Sequence, residues 1–281
     1  MAMDFHTRIP RPPLDAFVAS IWIFREDRRA HQLERILPTG AAQLIVNLKE
    51  DRTRVYDPEV PQRCVSTPGT ILAGVMSHYQ IIDTAEQEDV AGVTFRPGGT
   101  AAFMRRPADE TRDCNTPLEF LWGRQPAVDL RDQLLDRRNP ETQLDALETV
   151  LRTMFHPVGG HPAIAFALAA LDQVPLATSI GAVTDAIGMS AKRFIERFKA
   201  QVGLSPKQYC RIRRFQCALA RAHRGHPVNW SQVAVDCGYY DQAHFIHEFR
   251  SFSGLTPGGY QVVRTAFQNH VKFLQLEECA S

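Results

Sequence analysis

The chain has 281 residues, 44% of them apolar, with 32 Lys/Arg against 31 Asp/Glu for a formal net charge of +1. That length and apolar content suit two cored domains and exclude a disordered chain. No apolar run approaches the ~18 residues of a membrane helix, and Met1-Ala2-Met3-Asp4-Phe5-His6 lacks the basic-then-apolar order of a signal peptide, so a cytoplasmic protein with no membrane partner is expected.

From residue 1 to about 105 the texture is that of strands. Residues 42–48, 70–75, 79–83 and 89–95 are short β-rich runs broken by Gly, Pro and Asp. Strands without helical patterns between them predict a small antiparallel sandwich or barrel. His6, His31 and His78 are scattered with no His-x-His pair, so no metal site and no cofactor are expected there. Arg96, between a buried-looking strand and Pro97-Gly98-Gly99, is a weak candidate for holding an effector carboxylate, with an internal salt bridge as the plainer reading.

From Pro117 the period becomes helical: Leu118, Leu121, Trp122, then Leu130, Leu134, Leu135, then Leu144, Leu147, Leu151 through about residue 156. Such helices could cover the barrel, form a dimer interface or carry a signal. His156 to Pro162, rich in Pro and Gly, reads as the linker that ends a domain spanning 1–156.

Two similar segments follow in a second domain, 161–265. In the first, Gly188 marks a turn, Ser190 caps the next helix and Phe194 and Phe198 bury an i,i+4 pair. In the second, Gly238 marks the turn, Asp241 is the cap and Phe245 and Phe249 repeat the pair. Gly203-Leu204-Ser205-Pro206 matches Gly254-Leu255-Thr256-Pro257, each with a tyrosine, Tyr209 or Tyr260, at the same offset. This is a duplicated supersecondary motif. Between the copies, apolar residues recur at helical steps from Pro206 to Ala222 until Gly225 and Pro227. A helix of roughly eighteen residues spans about 27 Å, and the turns at each end bring the separation near the ~34 Å repeat of the major groove on one DNA face. Residues 266–281 read as a C-terminal tail.

The run Ala234-x-x-Cys237-Gly238-Tyr239-x-Asp241-Gln242-Ala243-His244-Phe245, the Phe249-Arg250 step and the Gly254-x-Thr256-Pro257-x-x-Tyr260 ending resemble the DNA-binding domain of the AraC/XylS family of bacterial transcriptional regulators. The resemblance covers about 161 to 265. Leu37-Pro38-Thr39-Gly40 and Phe95-Arg96-Pro97-Gly98-Gly99 are similar to the cupin-like sensor region of some of these regulators. The resemblance implies an α+β chain: a cupin-like sandwich with covering helices, then an all-α domain of two helix-turn-helix motifs. It implies double-stranded DNA and a small-molecule effector as partners, with RNA polymerase and a homodimer as further ones.

By position, the base-facing candidates are Lys192, Ile195 and Glu196 in the first motif and Gln242, Ala243, Ile246 and His247 in the second. Lys192 could reach guanine, Gln242 adenine, and Ala243 or Ile246 a thymine methyl; Glu196 would be repelled by phosphates unless it meets a cytosine amine, and a salt bridge to Arg193 or Arg197 is its plainer role. Arg193, Arg197, Lys199, Arg211, Arg213, Arg214 and Arg250 suit phosphates. Charge agrees, since 161–265 carries twelve Lys/Arg against six Asp/Glu, +6, while the remainder carries 20 against 25, −5.

Six cysteines, Cys64, Cys114, Cys210, Cys217, Cys237 and Cys279, include no Cys-x-x-Cys pair, which argues for reduced thiols and against a zinc ribbon. The spacings His223-x-x-His226 and His244-x-x-His247 are poor metal pairs, the first straddling a helix end and the second split between fold and DNA face. No nucleophile elbow, Walker loop or His-Glu-x-x-His occurs, so no catalytic residue is expected. The alternatives are a cupin-type enzyme, an alkyl-transfer regulator, or a protein-interaction module on a helix-turn-helix scaffold.

Overall fold

The computed structural model describes residues 4–26, 33–156, 160–173, 179–224 and 228–273. His31, linker positions 157–159, Gly225, His226 and Pro227, and the tail from 274 with Cys279 lie outside the described residues.

The N-terminal half contributes β1 (Asp4–Arg8), β2 (Val18–Arg25), β3 (Leu33–Ile36), β4 (Gln43–Asn47) and β5 (Thr53–Tyr56). There follow β6 (Cys64–Thr67), β7 (Thr70–Ala73), β8 (Gln80–Asp83), β9 (Asp89–Phe95) and β10 (Asn115–Pro117). One antiparallel sheet runs β1-β2-β9-β4-β7-β10. The second runs β3-β8-β5-β6, and beside β3 it gains β11 (His270–Lys272) from the far end of the chain. The runs at 42–48, 70–75, 79–83 and 89–95 are therefore β4, β7, β8 and β9, and the expected sandwich is present.

The period of two sorts the first sheet's side chains. Ile21 and Ile23 on β2, Leu44 and Val46 on β4, and Ala91 and Val93 on β9 are fully buried. Their neighbours Ser20, Trp22, Gln43, Ile45 and Thr94 line the space between the sheets. Gly92 permits this: a Cβ there would lie 2.2 Å from the Trp22 ring, so only glycine lets the indole cross β9. Three helices, α1 (Glu119–Trp122), α2 (Arg124–Leu135) and α3 (Pro140–Met154), follow β10, and α3 packs across β1 and β2. Leu130, Leu134, Leu144, Leu147 and Leu151 are buried, so this stripe covers the sandwich.

The helical half comprises α4 (Pro162–Gln173), α5 (Ile180–Ile187), α6 (Ala191–Val202), α7 (Pro206–Arg224), α8 (Trp230–Asp236), α9 (Gln242–Ser253) and α10 (Pro257–Val263). Every helix start from α5 onward with a described cap is local chemistry. Ser179, Ser190, Asn229, Asp241 and Thr256 each accept a backbone N–H of the first turn, each such cap being worth about 1 kcal/mol. Ser205 and Gln208 close a capping box before α7. Phe194, Phe198, Phe245 and Phe249 are fully buried, contributing about 1.5–3 kcal/mol each.

The two halves touch along several lines. The C-terminal end of α6 packs on the turn Ala108–Thr111, and Gly40 lies against Tyr209 and Ile212 of α7. Gln216 of α7 donates to the Pro38 carbonyl at 2.7 Å and to Asn269 Oδ1 at 2.8 Å. Within the segment read from sequence as a tail, residues 270–272 form β11 and are paired to β3, a non-local partner that a three-residue strand does not announce.

Candidate nucleic-acid interface and ligand cavity

Each helix-turn-helix is built the same way. Gly188 ends α5 at φ 63° and Gly238 follows α8 at φ 70°, left-handed conformations that let the chain reverse into the next helix. Ser190 Oγ accepts from Arg193 N at 3.4 Å, and Asp241 Oδ1 accepts from His244 N at 2.7 Å. The Phe194–Phe198 and Phe245–Phe249 rings stack edge-on, with centroids 5.6 Å apart in both copies. Pro257 opens α10 behind its Thr256 cap.

With those faces inward, Gln242, Ala243, Ile246 and His247 are all exposed on α9. Their spacing of i, i+1, i+4 and i+5 makes one stripe. On α6, Lys192 and Glu196 are exposed and Ile195 is half-buried, the least outward of the three. Among the described residues Glu196 forms no ion pair with Arg193 or Arg197. Tyr240, 93% exposed in the turn before α9, was not singled out from sequence; an unburied aromatic immediately before a cap is the signal that would have found it.

The seven basic candidates divide into two groups. Arg193, Arg197 and Arg250 are exposed and Lys199 is half-buried, with no ion pair among the described residues. Arg211, Arg213 and Arg214 are engaged internally. Arg211 Nε donates to Glu248 Oε1 at 2.6 Å, Arg214 Nη2 lies 3.6 Å from Glu248 Oε2, and Arg213 Nε lies 2.9 Å from Asp172. Glu248 is on the inward face of α9, so this cluster ties the second motif to α7.

A cavity of about 280 Å³ lies between the two sheets. Trp22, Phe24, Ile45, Ile71 and Ile82 supply apolar walls, and Thr94 accepts hydrogen bonds from Trp22 Nε1 at 3.1 Å and Gln43 Nε2 at 3.4 Å. Asn115 Oδ1, also at the wall, is buried without a hydrogen-bond partner. At the polar end Glu86 accepts from Arg54 Nη1 at 2.6 Å and from its backbone N at 2.8 Å. Burial pushes the Glu86 carboxyl up to about 7 in spite of those donors. Phe267 and His270 close one side: Phe267 lies 5.7 Å from the Phe24 ring, and His270 Nδ1 lies 3.0 Å from the fully buried Glu34.

Arg96 is not part of this cavity. It is exposed, and its Nε donates to the Asp15 carbonyl at 2.8 Å, which fastens the end of β9 to the turn before β2. The cavity residues were not found from sequence, although β2 carried a usable signal in the alternation Ser20, Trp22, Phe24 against Ile21, Ile23. Among the described residues no three His, Cys, Asp or Glu side chains gather as metal ligands, and no helix is long and apolar enough to cross a membrane.

Two capped helix pairs on a shared spacer, joined to a hollow β-sandwich, define an α+β helix-turn-helix protein. Comparison with known proteins agrees: residues 183–262 match a helix-turn-helix domain model and are an AraC-type domain, as the sequence resemblance implied, while residues 6–117 match a domain of unknown function (DUF6597). A probable transcriptional regulator, LumQ of Photobacterium leiognathi, is 33% identical over 84 residues, 30% of this chain and 33% of that protein. The chain thus spans about a third of that curated relative's length. Among solved structures, ToxT of Vibrio cholerae O395 aligns with a TM-score of 0.46 at 9% identity, over 92% of this chain and 97% of that one. ToxT of Vibrio cholerae strain SCE256 with bound unsaturated fatty acid gives 0.45 at 9% identity, over 94% and 96%. The C-terminal domain of AraT, a response regulator from Geobacillus stearothermophilus, gives 0.36 at 17%, over 38% and 90%.

Proposed function

We propose that the chain is a cytoplasmic DNA-binding transcriptional regulator of the AraC type, with α6 and α9 entering successive major-groove segments under the control of a small molecule in the sandwich cavity. One observation carries the DNA reading: both second helices turn capped N-termini and unpaired side chains outward, while their aromatic faces are fully buried. Lys192 is assigned to a guanine edge, Gln242 to adenine, Ala243 and Ile246 to thymine methyls, and Glu196 to a cytosine amine, with Ile195 and His247 flanking. Arg193, Arg197, Lys199 and Arg250 take phosphates. For Arg211, Arg213 and Arg214 the internal pairs favour a framework role over phosphate contact. The 19 residues of α7 hold the two reading heads about 28 Å apart along the helix.

The domains in this reading are 1–156 and 161–265, with residues 270–272 paired to the first. Effector control is supported by the cavity wall itself, because Phe267 and His270 follow α10 directly in the chain. A ligand that touches them acts on the second motif only if its affinity differs between docked and released positions of this segment. RNA polymerase and a second copy of the chain are the partners such a regulator would use.

Selection of duplexes from a random pool by the full-length protein, followed by salt-titrated gel shifts of the winners, tests the reading. We expect one preferred sequence with two half-sites and affinity that falls steeply with salt. Binding that is equal for all duplexes, or insensitive to salt, refutes it. The exposed, unpaired Glu196 favours a second reading, a protein-interaction module, and that outcome would support it.

A further inference from the structure

Cys217 on α7 and Cys237 at the end of α8 place their sulfurs 3.2 Å apart, the Cys237 thiol donating to the Cys217 sulfur. Among the described cysteines no other two are hydrogen-bonded to each other. Cys237 is fully buried, whereas Cys217 is half-buried and therefore the one that solutes reach. The hydrogen bond from Cys237, with the Arg221 guanidinium, draws the Cys217 thiol below its ordinary value; the same bond and burial push Cys237 up. Arg221 is held in place by Asp236 at 2.7 Å. Arg213 adds positive charge from α7, and Tyr239 faces the pair from the turn. The arrangement joins a half-buried cysteine, beside a guanidinium that favours its ionised form, to a buried thiol that can resolve it.

We propose that Cys217 and Cys237 are a peroxide-responsive thiol pair that closes to a disulfide inside the second helix-turn-helix and weakens its hold on DNA. In the first step the Cys217 thiolate attacks one oxygen of a hydroperoxide; the S–O bond forms, the O–O bond breaks, and the alkoxide or hydroxide takes a proton and leaves. Cys217 is thereby oxidised by two electrons to a sulfenic acid and the peroxide is reduced. In the second step Cys237 gives up its proton and attacks that sulfur, the S–S bond forms, and the S–O bond breaks with release of water. Two thiols and one hydroperoxide become a disulfide, an alcohol or water, and water.

The consequence is geometric. A disulfide needs sulfurs at about 2.05 Å, so closing the pair draws the end of α8 toward α7 by about 1 Å. Gly238 and the Asp241 cap follow within the next four residues, and they set where α9 begins. A reading helix displaced at its N-terminus presents Gln242 and Ala243 out of register with base edges.

The test treats the full-length protein with stoichiometric hydrogen peroxide, blocks the remaining thiols by alkylation and maps the peptides. We expect a Cys217–Cys237 cross-linked peptide lighter by two hydrogen atoms, with an affinity for the selected duplex lowered about tenfold, equivalent to about 1.4 kcal/mol, and restored by dithiothreitol. Cys217→Ser, checked for cooperative melting, should keep its affinity after peroxide. The proposal is overturned if Cys64 and Cys114 oxidise while Cys217 and Cys237 stay alkylatable, or if the disulfide forms and affinity changes by less than about twofold. Should Cys217→Ser not fold, the wild-type peptide map and affinity still decide. The DNA arm rests on the regulator reading, whereas the peptide map does not; reduced protein that selects no duplex fails that reading alone, and the map with melting temperatures then decides the thiol pair.

Discussion

Glu248 should be the costliest charge to remove from the second motif, because it is buried. Its side chain is 5% exposed, with Arg211 Nε at 2.6 Å, Arg214 at 3.6 Å and His244 Nε2 at 3.4 Å. Breaking a buried pair from one side costs about 3–5 kcal/mol, because the partner charge is left behind. Here the partners keep 31% and 22% of their side-chain surface in water, which lowers the expected cost of Glu248→Ala to about 2–3 kcal/mol. At roughly 2–4 °C per kcal/mol for a large domain, the melting temperature should fall by about 4–12 °C. Replacing Arg211 and Glu248 together by methionine should recover part of the loss, and urea unfolding of the parent, Arg211→Met, Glu248→Met and the double variant gives the coupling energy. A loss below about 0.5 kcal/mol for Glu248→Ala, combined with a salt slope reduced by about one on Arg211→Met, would show that Arg211 serves phosphate and not the framework.

Other substitutions separate base reading, cavity chemistry and coupling. Gln242→Ala and Lys192→Ala should each relax preference at a different base pair by about 1–3 kcal/mol, read from sequence selection with each variant; uniform weakening across all positions counts against the assignment. Glu86 sits at about 7 when folded, above its unfolded value of about 4.3, so the fold favours its protonated form. Its contribution to stability is complete at acid pH below the unfolded value and is lost as pH rises through about 7. Glu86→Gln should therefore remove a decline in stability between about pH 4 and pH 7, and equal pH slopes for parent and variant in urea titrations contradict the burial argument. Phe267→Ala removes a half-buried ring that meets Phe5, Phe24 and His270, and should cost about 1–2 kcal/mol. It should also alter affinity for the selected duplex without touching α6 or α9, and an unchanged affinity measured by gel shift would uncouple β11 from the reading heads.

The helical half was legible because its determinants are local. Glycines at the two turns, hydroxyl, amide and carboxylate caps one residue before the helices from α5 onward, and phenylalanines four apart all act within a few residues. β4 and β9 were legible for the same reason, as apolar runs bounded by breakers. β3, β5 and β6 read Leu-Glu-Arg-Ile, Thr-Arg-Val-Tyr and Cys-Val-Ser-Thr, four-residue segments with polar groups on both faces that become strands only through their neighbours. The Arg211–Glu248 pair joins residues 37 apart in the chain, and the cavity gathers residues from Phe5 to His270. No window along the sequence contains such a site, and spatial convergence is what a periodicity argument leaves out.

β11 sets the scale on which a ligand could act. It is a three-residue strand, fastened by Leu37 N to the Asn269 carbonyl at 2.9 Å, Phe273 N to the Leu33 carbonyl at 3.1 Å, and Arg35 Nη1 to the Lys272 carbonyl at 3.0 Å. Hydrogen bonds of this kind contribute about 1 kcal/mol each in net terms, so docking of the segment is a matter of a few kcal/mol. A ligand at about 100 times its dissociation constant contributes about 2.7 kcal/mol to the state it prefers. The backbone share of the docking and the ligand term are of the same size, so a ligand that prefers one position of the segment would offset the hydrogen-bonded part of its attachment. On the helical side the same segment is held by Tyr260 Oη to the Gln268 carbonyl at 2.9 Å and by Arg264 to the Ala222 carbonyl at 2.8 Å, both from residues in or next to α10. In the proposed regulator, this double attachment, to the sandwich and to the second motif, would let occupancy of the cavity bias the position of α9 and α10.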